Sequence, residues 1–452
     1  MSRFLVGSMI GLCVWAADWP NFRGPNSSGV APDSTRLPLE FGPDKNVIWK
    51  TPLPAGHSSP VLIGDRIYLT AFDKENLYVF ALDRSTGRIL WRRMAPRPRK
   101  EKLHQQNSPA SPSPVSDGRN VFVFFTDFGL LCYGPDGEEK WRLPLGPFNN
   151  PFGQAASPVL ANGLVLVSLD QEIGSYFLAV EKDTGKIRWR VDRPDFTRGF
   201  STPVLWRPTD GPLQVVIAGS YRLVGYDVET GKEEWFVRGL TWQLKPTPVM
   251  DGENIYVLGW AGEADPGQQE IVPEFREALE KFDANKNGKI ERSELTEPKL
   301  QKNFGELDLD ADGAIGERDW KFYQSKRAVI NGVNVFKLGG HGDMTEQNKV
   351  WKYERSLPNV PSPLLYRGVL YLCKEGGILT ALDAKTGQVL KQARITGAPG
   401  AYFASPVAAA GYVYTASEEG KMAVIKAGGD WEVVRINDLN DGVNGTPAIA
   451  DD

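Results

Sequence analysis

Ala81-Leu-Asp-Arg-Ser-Thr-Gly-Arg-Ile-Leu-Trp91 is the stretch on which the reading of this chain turns. It recurs as Ala179-Val-Glu-Lys-Asp-Thr-Gly-Lys-Ile-Arg-Trp189 and as Gly225-Tyr-Asp-Val-Glu-Thr-Gly-Lys-Glu-Glu-Trp235. A fourth copy, residues 381–391, keeps Thr386 and Gly387 and ends in Lys391. A shortened copy runs from Cys132 to Trp141. Each reads as strand, tight turn, strand. Gly87, Gly185, Gly231 and Gly387 supply the positive φ that a bulged hairpin demands. The Asp or Glu four residues earlier bonds turn amides. The Trp is an apolar anchor for a neighbouring element, so Trp91, Trp141, Trp189, Trp235 and Trp351 are expected at equivalent outer-strand positions between adjacent units.

A second signal is phased with the first. Prolines that open a short apolar strand stand at Pro60, Pro112, Pro158, Pro203, Pro248, Pro363, Pro406 and Pro447. Their spacing is 41–52 residues, except for one step of 115. Four short strands per period of about 45 residues mark a β-propeller. The fold class is therefore all-β: an eight-bladed β-propeller of four-stranded antiparallel blades. Residues 46–261 form its first part and 332–452 its second. The last blade is expected to close with residues 46–53 as its outer strand. The sequence stops at Asp452, before that blade's second and third strands, so the blade is read as incomplete or the sequence as ending early.

The Ala-x-Asp-x-x-Thr-Gly-x-x-x-Trp motif resembles the tryptophan-docking motif of the pyrroloquinoline-quinone (PQQ) repeat propellers. These include quinoprotein alcohol dehydrogenases and the propeller lipoprotein of the outer-membrane β-barrel assembly machine. The resemblance covers nearly all of the chain from Asp18 onward and specifies fold better than activity. Quinoprotein dehydrogenases hold PQQ with a vicinal Cys pair, a Trp floor, a Ca²⁺ bound by Glu and Asn, and an Asp base. This chain has no adjacent cysteines and no matching Glu, Asn and Asp set, so PQQ is not expected.

The long step contains residues 262–331, a small α-helical insertion in the fifth blade. Phe275, Ala278, Leu279 and Phe282 follow helical spacing behind Pro273, and Leu300, Phe304 and Leu307 do so behind Pro298. Residues 283–294 match an EF-hand loop. Asp283, Asn285 and Asn287 supply side-chain oxygens, Lys289 its carbonyl, Glu291 a direct or water-mediated contact and Glu294 a bidentate carboxylate. Residues 308–319 form a second loop with Asp308, Asp310, Asp312, the carbonyl of Ala314, and Asp319. Asp319 is one methylene shorter than the usual Glu, so this site is expected to be the weaker. Ile290 and Ile315 hold the places where paired loops bridge. Two Ca²⁺ sites are expected, on the face that carries the mouth of the propeller.

Loops at that mouth contain His57, His104, Gln105, Gln106, Asn107, Gln154, Phe200, Trp242, Lys245, Asn359, Tyr402, Phe403 and Asn444. Ordinary packing is favoured over a ligand site there. Three histidines spread over 452 residues do not make a zinc site. With 52 basic against 56 acidic residues and a net charge of −4, nothing indicates nucleic acid.

Residues 1–16 read as a signal peptide: Arg3, an apolar stretch too short to span a membrane, and Val14-Trp-Ala16 as the cleavage site. This implies a periplasmic or secreted protein. Cys132 and Cys373 fall on opposite sides of an eight-bladed ring and are expected as buried thiols. Residues 17–45 read as an irregular arm packed on the propeller. The expected function is a Ca²⁺-binding, non-catalytic scaffold or interaction protein, monomeric, with a protein partner at the mouth face. The alternative is a quinoprotein-like, PQQ-dependent oxidoreductase acting on an alcohol or sugar at the mouth.

Overall fold

The computed structural model describes residues 18–33 and 37–450. The signal-peptide reading of residues 1–16 lies outside them. The chain forms a propeller. Seven blades are complete four-stranded antiparallel meanders: one (residues 61–95), two (115–144), three (159–192), four (204–238), five (249–353), six (364–394) and seven (407–438). In every blade the ladder between third and fourth strands carries a register shift at the same place, for example between Ala81 and Leu82. That bulge follows from the motif: the small residue of one strand faces the Trp of the next, as in Ala81↔Trp91 and Ala179↔Trp189. In the turn that follows, Asp83 accepts the amides of Ser85 and Thr86, and Gly87 takes φ 69°.

The core lies between blades. Each apolar cluster joins two neighbours, such as Tyr68, Val79 and Trp91 of blade one with Val121, Phe125 and Tyr133 of blade two. The docking tryptophans sew these faces together. Trp91 Nε1 donates to Pro135 O at 2.7 Å, Trp141 to Lys182 O at 2.8 Å, Trp189 to Val228 O at 3.0 Å and Trp351 to Ala384 O at 3.1 Å. Each indole lies against the turn glycine of the next blade, where any Cβ would fall within 2.8 Å of the ring.

Trp235 holds the expected outer-strand position opposite Gly225 and packs between blades four and five, but its indole bonds differently. It donates to Gln214 of its own blade at 2.7 Å. Blade five has no Thr-Gly turn to receive it. Its connection between third and fourth strands, residues 338–348, is longer, and Gly342–Asp343 adds a short parallel strand beside Trp235 and Phe236.

The eighth position also differs from the expectation of a shared blade. Residues 46–53 and 445–449 occupy it, but they form no ladder with one another among the described residues. Trp49 nevertheless docks as an outer-strand tryptophan should, donating to Arg84 O at 2.9 Å against Gly87. The N-terminal arm fills what the missing strands would: Trp19, Leu37, Leu39 and Phe41 pack between blades seven and one with Val407, Tyr414 and Val424.

The arm does more than pack. Trp19 bridges Leu62 of blade one, Pro20 accepts from Ser116 of blade two, Asn26 bonds both backbone groups of Leu205 in blade four, Arg23 reaches Pro363 of blade six, and Val30 bridges Ala408 of blade seven. It therefore crosses the channel at the end opposite the mouth.

Around the axis runs a girdle of eight hydroxyls, from Ser59, Ser113, Ser157, Thr202, Thr247, Ser362, Ser405 and Thr446. Each opens an inner strand just before a proline. Amide N–H groups donate round the ring in one sense, from Ser59 to the Ser113 hydroxyl and onward, in seven bonds of 2.9–3.0 Å. The last, Thr446 N–H to Ser59 Oγ, closes the two ends of the ring. In blade two the girdle residue is Ser113, so its phasing proline is Pro114 and not Pro112.

Candidate functional site

The insertion springs from blade five between the strands Asn254–Gly259 and Gly332–Lys337. Asn331 clasps its root, donating to Ala261 O and accepting from Ala261 N, both at 2.8 Å. Helix α1 (Phe275–Phe282) leads into the first loop; short helices α2 (Pro298–Lys302) and α3 (Phe304–Leu307) lead into the second; α4 (Glu317–Ala328) leaves it. Ala278, Phe282, Leu300, Phe304, Leu307 and Trp320 form a separate small core. The two loops meet where Ile290 pairs with Ile315 and Glu291 with Ala314. Both isoleucines are fully buried.

Each loop folds its oxygens inward by hydrogen bonding its own backbone. Asp283 accepts from Asn287 N and Gly288 N, and Asp308 from Asp312 N and Gly313 N, at 2.9–3.1 Å. Gly288 and Gly313 take φ 83° and 92°, which reverses the chain after the third side-chain donor. Asn287 Oδ1 accepts from Lys289 N, and Asp312 Oδ1 from Ala314 N, both at 2.9 Å. Glu294 folds back onto the amides of Ala284, Asn285 and Glu291; Asp319 does the same to Leu309 and Gly316. In both loops, then, side chains selected from the sequence fold back on their own backbone to form a cup.

The cups differ in charge. In the first, the Asn285 and Asn287 amides donate to Glu291, so that cup is largely self-satisfied. In the second, Asp308, Asp310 and Asp312 each bring an oxygen within 4.8 Å of the others. Burial raises the carboxyls of Asp308 and Asp319 above their ordinary range. Lys289 of the first loop reaches across to Asp312 at 2.5 Å and holds that carboxyl below its ordinary range.

The second loop and α4 dock on the mouth loops of the propeller. Asn149 donates to Leu309 O at 3.2 Å, Arg318 to Glu172 O at 3.0 Å and Tyr221 to Phe322 O at 3.3 Å. Lys326 lies 4.6 Å over Trp242. Glu172 and Arg198 form a buried ion pair beneath. The insertion therefore sits on the mouth face, away from the Thr-Gly turns.

Beside it the mouth opens into an axial cavity of about 340 Å³. His57, His104, Gln106, Asn107, Phe200, Lys245, Asn359, Phe403 and Asn444 line it; Gln105, Gln154, Trp242 and Tyr402 do not. Sequence reading missed Phe22, Phe152 and Trp260, and the girdle hydroxyls of its floor. The hydroxyls were legible as the Ser/Thr before each strand-opening proline. Trp260 carries no comparable signal. Among the described residues no carboxylate and no cysteine lines the cavity. Cys132 and Cys373 are buried free thiols in blades two and six, pushed up to about 12 by burial.

The fold and repeats define a PQQ-repeat β-propeller. The model of the family described as outer membrane protein assembly factor BamB matches residues 78–264 and 341–452, and the chain belongs to that family. The match leaves the helical insertion out. Among solved structures, BamB from Moraxella catarrhalis is similar over 88% of this chain and 92% of its own, at 12% identity and TM-score 0.54. The quinohemoprotein alcohol dehydrogenase ADHIIG from Pseudomonas putida HK5 covers 91% of this chain and 76% of its own, at 14% identity and TM-score 0.45. No curated protein sequence matches the chain. Among the described residues no helix is long and apolar enough to cross a membrane.

Proposed function

We propose that this chain is an exported, non-catalytic propeller scaffold whose insertion is an EF-hand pair holding two Ca²⁺ ions. One observation carries the reading: two loops of matching geometry, joined at Ile290 and Ile315, turn oxygen donors inward, and one of them crowds three aspartates together. Hard oxygen donors of this number suit Ca²⁺. Asp283, Asn285, Asn287, the Lys289 carbonyl, Glu291 and Glu294 would hold the first ion. Asp308, Asp310, Asp312, the Ala314 carbonyl and Asp319 would hold the second, more weakly.

The family assignment supports placement in the cell envelope, periplasmic or secreted, and a protein partner; the reading adds that the chain is a monomer and that the partner meets the mouth face. An enzymatic reading finds less support. The axial cavity has no carboxylate to bind a quinone's Ca²⁺ or act as a base, so its residues do not fit PQQ.

Calorimetric titration tests the reading: two Ca²⁺ per chain, one lost in Asp283→Ala with Glu294→Ala. Ca²⁺ at tenfold excess over Kd should raise stability by about 1.4 kcal/mol. No binding heat, together with a melting temperature indifferent to EDTA, would count against it.

A further inference from the structure

We infer that the axial cavity is a binding site for a small organic carboxylate with an apolar, ring-sized body. Its lining is one-sided in chemistry. It includes one lysine and two histidines but no acid, in a chain with four more acidic than basic residues. Phe152, Phe200, Phe403 and Trp260 give it flat apolar walls.

Its one lysine is a donor short of a charged acceptor, although the Asn359 Oδ1 on the same lining is an acceptor without a partner. Lys245 Nζ has only two neutral partners, Gln243 Oε1 at 2.9 Å and Trp260 O at 3.3 Å, and lies 5.5 Å from the Trp260 ring. The floor hydroxyls of Ser59, Ser157, Thr202, Ser362, Ser405 and Thr446 already accept an amide N–H from the preceding unit. Their own protons are then free to point to the axis, and a ring of converging O–H donors suits an anion. Just beyond the floor lies Arg23, fully buried. It donates to the carbonyl of Pro363, the residue after girdle member Ser362, at 2.8 Å, while its Nε and Nη1 have no partner. No carboxylate faces Arg23 among the described residues. Burial of unpaired cations is costly unless a counter-charge arrives. Burial alone holds Lys245 down to about 7 and Arg23 down to about 9; an anion beside Lys245 would offset its share of that. The other titratable groups on the cavity are His57 and His104. The inference does not depend on Ca²⁺ in the insertion.

The experiment uses the full chain with benzoate and indole-3-carboxylate, against the neutral benzamide and indole-3-carboxamide. Calorimetry should show an acid binding and its amide at least about tenfold weaker. Lys245→Met should lose about tenfold for the acid, and Lys245→Arg should recover most of it. If Lys245→Met does not fold, saturation-transfer NMR on the parent compares acid with amide directly. Equal binding of acid and amide, no binding of either acid at 10 mM, or an unchanged affinity in folded Lys245→Met would overturn the inference.

Discussion

Two regions on one face of this molecule have opposite chemistry. The insertion presents paired cups of carboxylates and amides. The axial cavity beside it presents a lysine, two histidines and hydroxyls, and no acid. They also differ in what builds them. Each cup is made from twelve consecutive residues, so its ligands are fixed by local chain reversal. The cavity draws side chains from seven blades and the arm, so its chemistry exists only once the ring has closed. The buried Glu172–Arg198 pair stands between them: Glu172 meets Arg318 of the insertion, and Arg198 lies 5.0 Å from the Phe152 ring of the cavity.

Removing the shared frame should have the largest effect. Trp141 is buried and ties blade two to blade three, whose loops meet the insertion. Trp141→Ala should destabilise by ~3–5 kcal/mol in chemical denaturation. A loss below about 1 kcal/mol would mean that the indole is not the anchor its geometry implies.

Next comes Asp308→Ala, which removes a buried carboxylate of the second cup. Its Ca²⁺ affinity there should fall by ~100-fold, about 2.7 kcal/mol, with the first cup unaffected. Equal weakening of both cups would show that they act as one unit, through the bridge of Ile290 and Ile315 or the Lys289–Asp312 pair.

The cavity is probed through pH. Lys245 is held at about 7 by burial, against about 10.4 when unfolded. Between these values the unfolded chain binds more protons than the folded one, so this group adds stability as pH rises. Below 7 its folded form carries the charge at full desolvation cost. Lys245→Met should therefore melt above the parent at pH 6, and the gap should shrink towards pH 10. His57 and His104 are common to both proteins and drop out of the difference. A gap independent of pH would show that Lys245 is solvated.

The smallest effect expected is a gain. Asp319→Glu supplies the longer side chain that reaches an ion bidentately, and should tighten the second cup by ~3–10-fold, about 1 kcal/mol. Unchanged affinity would place the weakness of that cup elsewhere, for instance in its contact with Asn149.

What was legible in the sequence follows the same division. The Thr-Gly turns and their glycines are local, and they revealed the blades. The two loops are also local, and their pairing at Ile290 and Ile315 was read from them. Trp235 was placed correctly between blades four and five, but its hydrogen-bond partner was not legible, because the turn that would receive it lies more than a hundred residues on and is replaced by the stretch 338–348. The arm was read as packing alone because nothing in residues 18–31 encodes the five blades it touches. The cavity's single-signed lining was invisible for the same reason: Lys245, Trp260 and the girdle hydroxyls come together only through the ring.

The path of the arm has a consequence for synthesis. A ribosome makes residues 18–31 before any blade, yet Arg23 bonds Pro363, made 340 residues later, and Ala31 bonds Ala408. Blades one to five can form in order as they emerge, each on its predecessor. The leading segment must wait, unseated, until blades six and seven exist to receive it. Residues made before every blade are then among the last to find their place, and their docking, together with the Thr446–Ser59 bond, marks the point at which an open arc becomes a ring.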